Sequence, residues 1–215
     1  MPSRTRIKIC GLTREADVDA AIEAGADAIG LVFYDKSPRL VSVARAADLA
    51  RRLPAFVTPV GLFVNAAPQL LAEATGAIPN LVLQFHGDET PSDCRAAMRP
   101  YLRAARMSAE LDLLDFASRY PDAQALLLDA HVEGYGGGGK VFDWSLIPRN
   151  VPRPVVLSGG LHAGNVIEGI VRARPWAVDV SSGVEAAKGI KDAAAIRRFC
   201  EAVREADARI AATVA

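Results

Sequence analysis

Cys10 and Asp129 are the residues of this sequence best suited to moving protons. Cys10 closes the apolar run RIKIC (6–10), and Asp129 closes QALLLD (124–129). A thiolate can take a proton and a protonated carboxyl can give one. Thiolate character requires a lowered pKa, and Lys8, two residues before Cys10, is placed to provide it. A carboxyl that stays protonated near pH 7 requires an apolar, closed setting. Both residues also have plainer readings. A strand cysteine is usually a small core hydrophobe, and an aspartate ending a strand is often a turn former or helix cap. Further candidates sit on similar runs. Gln84 and His86 share one face of LVLQFH (81–86), and Asp179 and Ser181 share one face of AVDVSS (177–182). His86 also fits a hydrogen-bonded core histidine, and Lys8 with Asp179 fits a buried ion pair.

Other residues suit an anion. One run ends Ser158-Gly159-Gly160-Leu161 and the next ends Ser181-Ser182-Gly183-Val184. Glycine lets a backbone N–H approach a phosphate, and serine adds a hydroxyl donor. Arg39, in KSPRLVS, reads either as a solvated charge or as a clamp for a substrate carboxylate, which its planar fork suits. The glycine-rich stretch VEGYGGGGKVFDW (132–144) matches parts of two nucleotide motifs, but its context fits neither. Val141 stands where a phosphate-binding loop needs Ser or Thr. No helix opens behind the glycines, and the next strand ends VVLSGG, without the acidic residue of a dinucleotide site. The stretch reads instead as a loop that closes over a ligand beside Asp129.

The elements that must position these residues follow from periodicity. Eight short apolar runs read as strands, at 6–10, 27–33, 58–64, 81–86, 101–107, 124–129, 154–159 and 177–182. Helical patterns lie between them, at 14–24, 43–52, 67–75, 91–98, 109–118, 162–172 and 191–210, with at most 143–147 after strand six. Thr13 reads as the N-cap of the first helix and Gly25 as its stop. Ile196, Phe199, Cys200 and Val203 form an apolar stripe on the last. SSGVEAAKGIKD (181–192) has room for one helical turn before the long last helix at 191. Eight βα units in 215 residues predict an α/β fold, a single (β/α)8 barrel domain spanning residues 1–215, with an open doubly wound sheet as the rival. In the barrel, Lys8, Cys10, Gln84, His86, Leu127, Asp129, Asp179 and Ser181 point inward, and function gathers at the C-terminal strand ends, with phosphate favoured at strands seven and eight.

Composition narrows the partners. The chain carries 25 basic and 25 acidic residues, so no charge excess favours nucleic acid or an anionic membrane. No apolar run is long enough to span a bilayer, and MPSRTRIKICG lacks the pattern of a signal peptide. The three cysteines, Cys10, Cys94 and Cys200, are scattered, which fits a reducing cytoplasm. His86, His131 and His162 make no metal-ligand spacing, so no metal is expected. Either a monomer or a homodimer is compatible with the chain.

Seven segments together carry a family resemblance: KICG (8–11), GLVFYDKSPRLVS (30–42), GLFVN (61–65), LQFHG (83–87), LLLDA through KVFDW (126–144), LSGGL (157–161) and VDVSSGVE (178–185). In this order, over nearly the whole chain, they resemble the phosphoribosylanthranilate isomerases of tryptophan biosynthesis. The resemblance implies a cofactor-free Amadori rearrangement of N-(5-phosphoribosyl)anthranilate, a small phosphosugar. It implies Cys10 as general base, Asp129 as general acid, Arg39 on the anthranilate carboxylate, and Gly160 with Ser182–Gly183 on the phosphate. Two departures are minor: the glycine loop lacks the family's frequent threonine, and Ser158 stands where alanine is common. Three rivals are distinguishable. A histidine-pathway phosphoribosyl isomerase would use two aspartates and two phosphate sites. A non-catalytic phosphosugar-binding barrel would not need Cys10 or Asp129. A redox role for Cys10 lacks a resolving cysteine nearby in sequence.

Overall fold

The structure is a computed structural model that describes residues 4–130 and 141–213. Eight parallel strands pair in chain order and close into a barrel: β1 (Arg6–Cys10), β2 (Ala28–Val32), β3 (Thr58–Phe63), β4 (Val82–Phe85), β5 (Tyr101–Met107), β6 (Ala125–Ala130), β7 (Val155–Leu157) and β8 (Ala177–Val180). Closure comes from the register of β1 on β8, where Lys8 stands opposite Asp179. That pairing excludes the open sheet. The strand ranges expected from the sequence hold to within two residues at each end. Among the described residues no helix is long and apolar enough to cross a membrane.

Strand alternation separates two cores. Ile7, Ile9, Leu83, Phe85, Leu126, Leu128, Val178 and Val180 face outward into the layer between strands and helices. Leu127 faces inward with Val60, Leu102, Ala104 and Val156, and these fill the barrel interior. The filled interior leaves the polar inward residues to the rim.

The outer helices are α1 (Glu15–Glu23), α2 (Val43–Ala50), α3 (Pro68–Ala77), α4 (Pro91–Ala96), α5 (Leu113–Arg119), α6 (Val166–Ala173) and α7 (Ala193–Ala212). After β6 only a single 3-10 turn, Trp144–Leu146, is formed among the described residues. Pro148 explains its brevity: it forces the preceding Ile147 out of the helical region, and Ile147 is extended, at φ −85° and ψ 110°.

Two expectations are corrected. Thr13 is not the cap of α1; Arg14 holds the cap position without a side-chain bond, and the Thr13 hydroxyl donates to Gly189 O at 2.8 Å. A tertiary partner has displaced the local one. Residues 182–191 are more than one turn: the 3-10 turn Ser182–Val184 leads into a small antiparallel hairpin, β9 (Glu185–Ala187) and β10 (Ile190–Lys191). The stripe of α7 is as expected, with Ile196, Phe199, Cys200 and Val203 buried. Asp192 starts this helix by accepting from Ala194 N at 2.8 Å and Ala195 N at 3.2 Å. Asp192→Ala should therefore cost ~1 kcal/mol. Urea unfolding would test it, and an unchanged midpoint would contradict the cap assignment.

Candidate active site

Cys10 ends β1 opposite Gly30 of β2. Gly30 makes room for the thiol, since a Cβ there would stand 2.5 Å from Sγ. Below Cys10, Lys8 Nζ contacts Asp179 Oδ1 at 2.8 Å, with both side chains almost wholly buried. The bland reading of this pair and the supporting one thus coexist: it is a buried ion pair, and it lies beneath a candidate base. The electrostatics differ from the sequence expectation. Burial pushes the Cys10 thiol above its ordinary value, Asp179 adds to that, and Lys8 and Lys191 pull against it without prevailing. Lys8 loses to burial but gains more from Asp179 and Cys10, and ends above its ordinary value. Lys8 therefore moderates the thiol rather than making it a standing thiolate.

Asp129 sits near the end of β6, where Oδ1 accepts from Ala130 N at 2.9 Å. Its Oδ2 lies 3.2 Å from His86 Nε2, too poorly aligned to count as a hydrogen bond. His86 Nδ1 faces Gln84 Nε2 at 3.0 Å. Which of the two donates is set by the tautomer of the ring. His86 is itself set by residues that periodicity did not single out. Arg103, buried on the outward face of β5, donates to Phe85 O at 2.9 Å and Gly87 O at 3.0 Å, the carbonyls on either side of His86. Glu89 accepts from Gly87 N at 2.9 Å and Asn65 N at 2.7 Å, fixing the same turn.

The loops after β7 and β8 meet at the backbone. Gly159 and Gly160 have φ of +80° and +61°, a conformation that favours glycine. A Cβ on Gly183 would fall 1.9 Å from Leu161 O, so only glycine permits this contact. Asn165 fastens the first loop, donating to Gly160 O at 3.0 Å and accepting from His162 N at 2.8 Å.

One pocket at this end of the barrel is lined by Cys10, Arg39, Gln84, His86, Asp129, Gly160, Asp179 and Ser182. Lys8, buried beneath Cys10, and Gly183, packed against Leu161 O, are the two expected residues that do not line it. Val32, Leu62 and Leu161 add apolar surface to the pocket lining, which suits an aromatic ring. Arg39 is not a free clamp: its fork is engaged by Glu185, with Nε to Oε1 at 2.7 Å and Nη2 to Oε2 at 2.8 Å. The sequence did not single out Glu185, because no local pattern links it to Arg39, 146 positions away, nor Lys191, which joins the cluster through Glu185. The expected glycine loop, with His131, lies outside the described residues. Among the described residues, no three His, Cys, Asp or Glu side chains are grouped so as to hold a metal ion.

Comparison with known proteins agrees with this layout. A model described as PRAI, N-(5'phosphoribosyl)anthranilate (PRA) isomerase, matches residues 7–202. The chain is 76% identical over 210 residues to the N-(5'-phosphoribosyl)anthranilate isomerase of Methylibium petroleiphilum, spanning 98% of this chain and 99% of that one. The crystal structure of phosphoribosyl anthranilate isomerase from Thermotoga maritima superposes with a TM-score of 0.87 at 41% identity, over 94% of this chain and 99% of that one. A phosphoribosyl anthranilate isomerase in complex with reduced 1-(o-carboxyphenylamino)-1-deoxyribulose 5-phosphate superposes with a TM-score of 0.81 at 38% identity, over the same shares of the two chains. A strand-for-strand barrel with this rim, matched by family model, sequence and structure over nearly its whole length, belongs to the N-(5'-phosphoribosyl)anthranilate isomerase family.

Proposed function

We propose that the chain converts N-(5-phosphoribosyl)anthranilate into 1-(2-carboxyphenylamino)-1-deoxyribulose 5-phosphate, with Asp129 as general acid and Cys10 as general base. Asp129 protonates the furanose ring oxygen, the bond from that oxygen to C1 breaks, and the nitrogen lone pair forms an iminium. Cys10, as thiolate, removes the proton from C2 and leaves an enolamine. Tautomerisation gives the ketone, with C1 taking a proton. Every atom of substrate is retained and only protons move, so the chemistry calls for no metal or organic cofactor.

The observation that carries this reading is the convergence of Cys10 and Asp129, from strands far apart in the barrel, on one pocket that also contains Gly160 and Ser182. On this reading the loops at Gly160 and Ser182–Gly183 hold the phosphate. The anthranilate ring lies against the apolar surface, and Arg39 takes its carboxylate. Gln84 and His86 support Asp129, while Lys8 and Asp179 support Cys10. The Cys10 thiol must lose its proton for the base step. Lys8 and Lys191, which favour the thiolate, supply the pull against burial and Asp179. The chain then serves tryptophan biosynthesis in the cytoplasm, and its required partner is the phosphosugar alone.

The test follows anthranilate-type fluorescence after anthranilate is condensed with ribose 5-phosphate and mixed with the purified protein. Rapid enzyme-dependent loss of signal is expected. No acceleration by the protein would reject this substrate.

A further inference from the structure

A guanidinium has two edges that can grip a carboxylate as a fork, Nε–Nη2 and the terminal Nη1–Nη2 edge. Glu185 occupies the first edge of Arg39, at 2.7 Å and 2.8 Å, and both side chains are nearly closed to solvent. The terminal Nη1 has no partner among the described residues, and Arg39 lines the pocket. Its stem is closely confined too, since a Cβ on Gly11 would stand 2.4 Å from Arg39 Cδ. Glu185 therefore holds Arg39 without using its second fork.

The hairpin brings in a third charge. Lys191 on β10 pairs directly with Glu185 on β9. Its Nζ donates to Glu185 Oε1 at 2.9 Å and to Ser181 O at 3.0 Å, and its side chain is 0% exposed. Arg39 and Glu185 alone would be formally neutral. Lys191 leaves the buried trio with one excess positive charge at the wall of the pocket. Such a charge is unfavourable until an anion arrives. Burial does draw the Lys191 ammonium below its ordinary value, against the pull of Glu185.

We propose that Glu185 and Lys191 are positioning residues that make the pocket select an aryl carboxylate: Glu185 fixes Arg39 with its terminal edge available, and Lys191 leaves the trio one negative charge short of neutrality. This rests on the reading that Arg39 takes the anthranilate carboxylate. Two substrates separate the possibilities: N-(5-phosphoribosyl)anthranilate and N-(5-phosphoribosyl)aniline, each made by condensing the amine with ribose 5-phosphate. They share the sugar and the phosphate and differ only in the carboxylate.

The experiment measures kcat/KM for both by chromatography of the products, in wild type, Arg39→Met, Glu185→Gln and Lys191→Met. Wild type should prefer the anthranilate compound by ~100-fold or more, the scale of a desolvated charge pair. Glu185→Gln and Lys191→Met should each cut that preference at least ~10-fold, mainly through KM. Glu185→Asp, which keeps the charge but draws it back, replaces the Gln variant if that does not fold. The proposal is overturned if these variants keep the wild-type preference. It is equally overturned if they lose both substrates in proportion, since the hairpin is then scaffolding. If wild type shows no preference, or Arg39→Met keeps it, the reading of Arg39 falls as well. If Arg39→Met alone loses it, Arg39 stands and only the positioning role fails.

Discussion

Asp129→Asn is expected to lower kcat by ~10²–10⁴, the usual contribution of a placed acid. The carboxamide keeps an acceptor for Ala130 N–H but cannot protonate the furanose oxygen near neutral pH. Cys10→Ser should fall in the same range, because a serine hydroxyl is far too weakly acidic to supply the anion that removes the C2 proton. The two groups act in successive steps, so the double variant should be little slower than the worse single one. Cys10 also predicts a pH profile. Burial holds its thiol above the ordinary value, so the thiolate fraction grows as pH rises toward that raised value. Hence kcat/KM should climb from neutral to alkaline pH, and Cys10→Ser should lose the climb. The fluorescence assay checks all of this, with inhibition by inorganic phosphate confirming that the variants still bind anion. Turnover by Asp129→Asn within about tenfold of wild type would remove Asp129 from the acid role.

Gly183→Ala should have the other large effect, and its origin is steric. The added methyl would need the position 1.9 Å from Leu161 O, and that atom belongs to the backbone of the neighbouring loop. One of the two loops must move, and both are the proposed phosphate cradle. We expect a loss of roughly 1–3 kcal/mol in stability from overpacking. We also expect a drop in kcat/KM of ~100-fold, since a misplacement of about 1 Å is worth that much. The drop should appear mainly in KM, with weaker inhibition by inorganic phosphate. Gly76→Ala is the matched control: it lies in α3 with nothing within 4 Å of the new methyl. That change should stabilise the helix by ~0.5–1 kcal/mol and leave kinetics alone. A Gly183→Ala enzyme with normal KM and normal phosphate inhibition would mean that the β7 and β8 loops do not hold the phosphate.

The barrel was legible in the sequence because its determinants are local. Alternation along RIKIC, QALLLD and AVDV places Lys8, Cys10, Asp129 and Asp179 on inward faces before any contact is known, and the pattern of eight such runs separated by helices implies closure. Closure in turn makes β1 and β8 neighbours, so even the Lys8–Asp179 pair could be anticipated. Thr13, Arg39 and Cys10 mark where that logic stops. Thr13 had the right type for a helix cap, but Gly189 O, 176 residues away in sequence, took its hydroxyl. Arg39 read as either a solvated charge or a carboxylate clamp, and its partner Glu185 was not foreseen; Glu185 reaches it only because the chain after β8 turns back as a hairpin. Cys10 read as a ready thiolate because Lys8 is close in sequence, whereas the thiol's ionisation depends on total burial and on Asp179 and Lys191 as well. The sequence by itself determined which residues face the barrel rim, since side-chain direction follows from strand period. Only the tertiary structure decided which partners beyond the barrel strands those residues meet and how far water is excluded from them, since both depend on loops and hairpins whose contacts have no period to read.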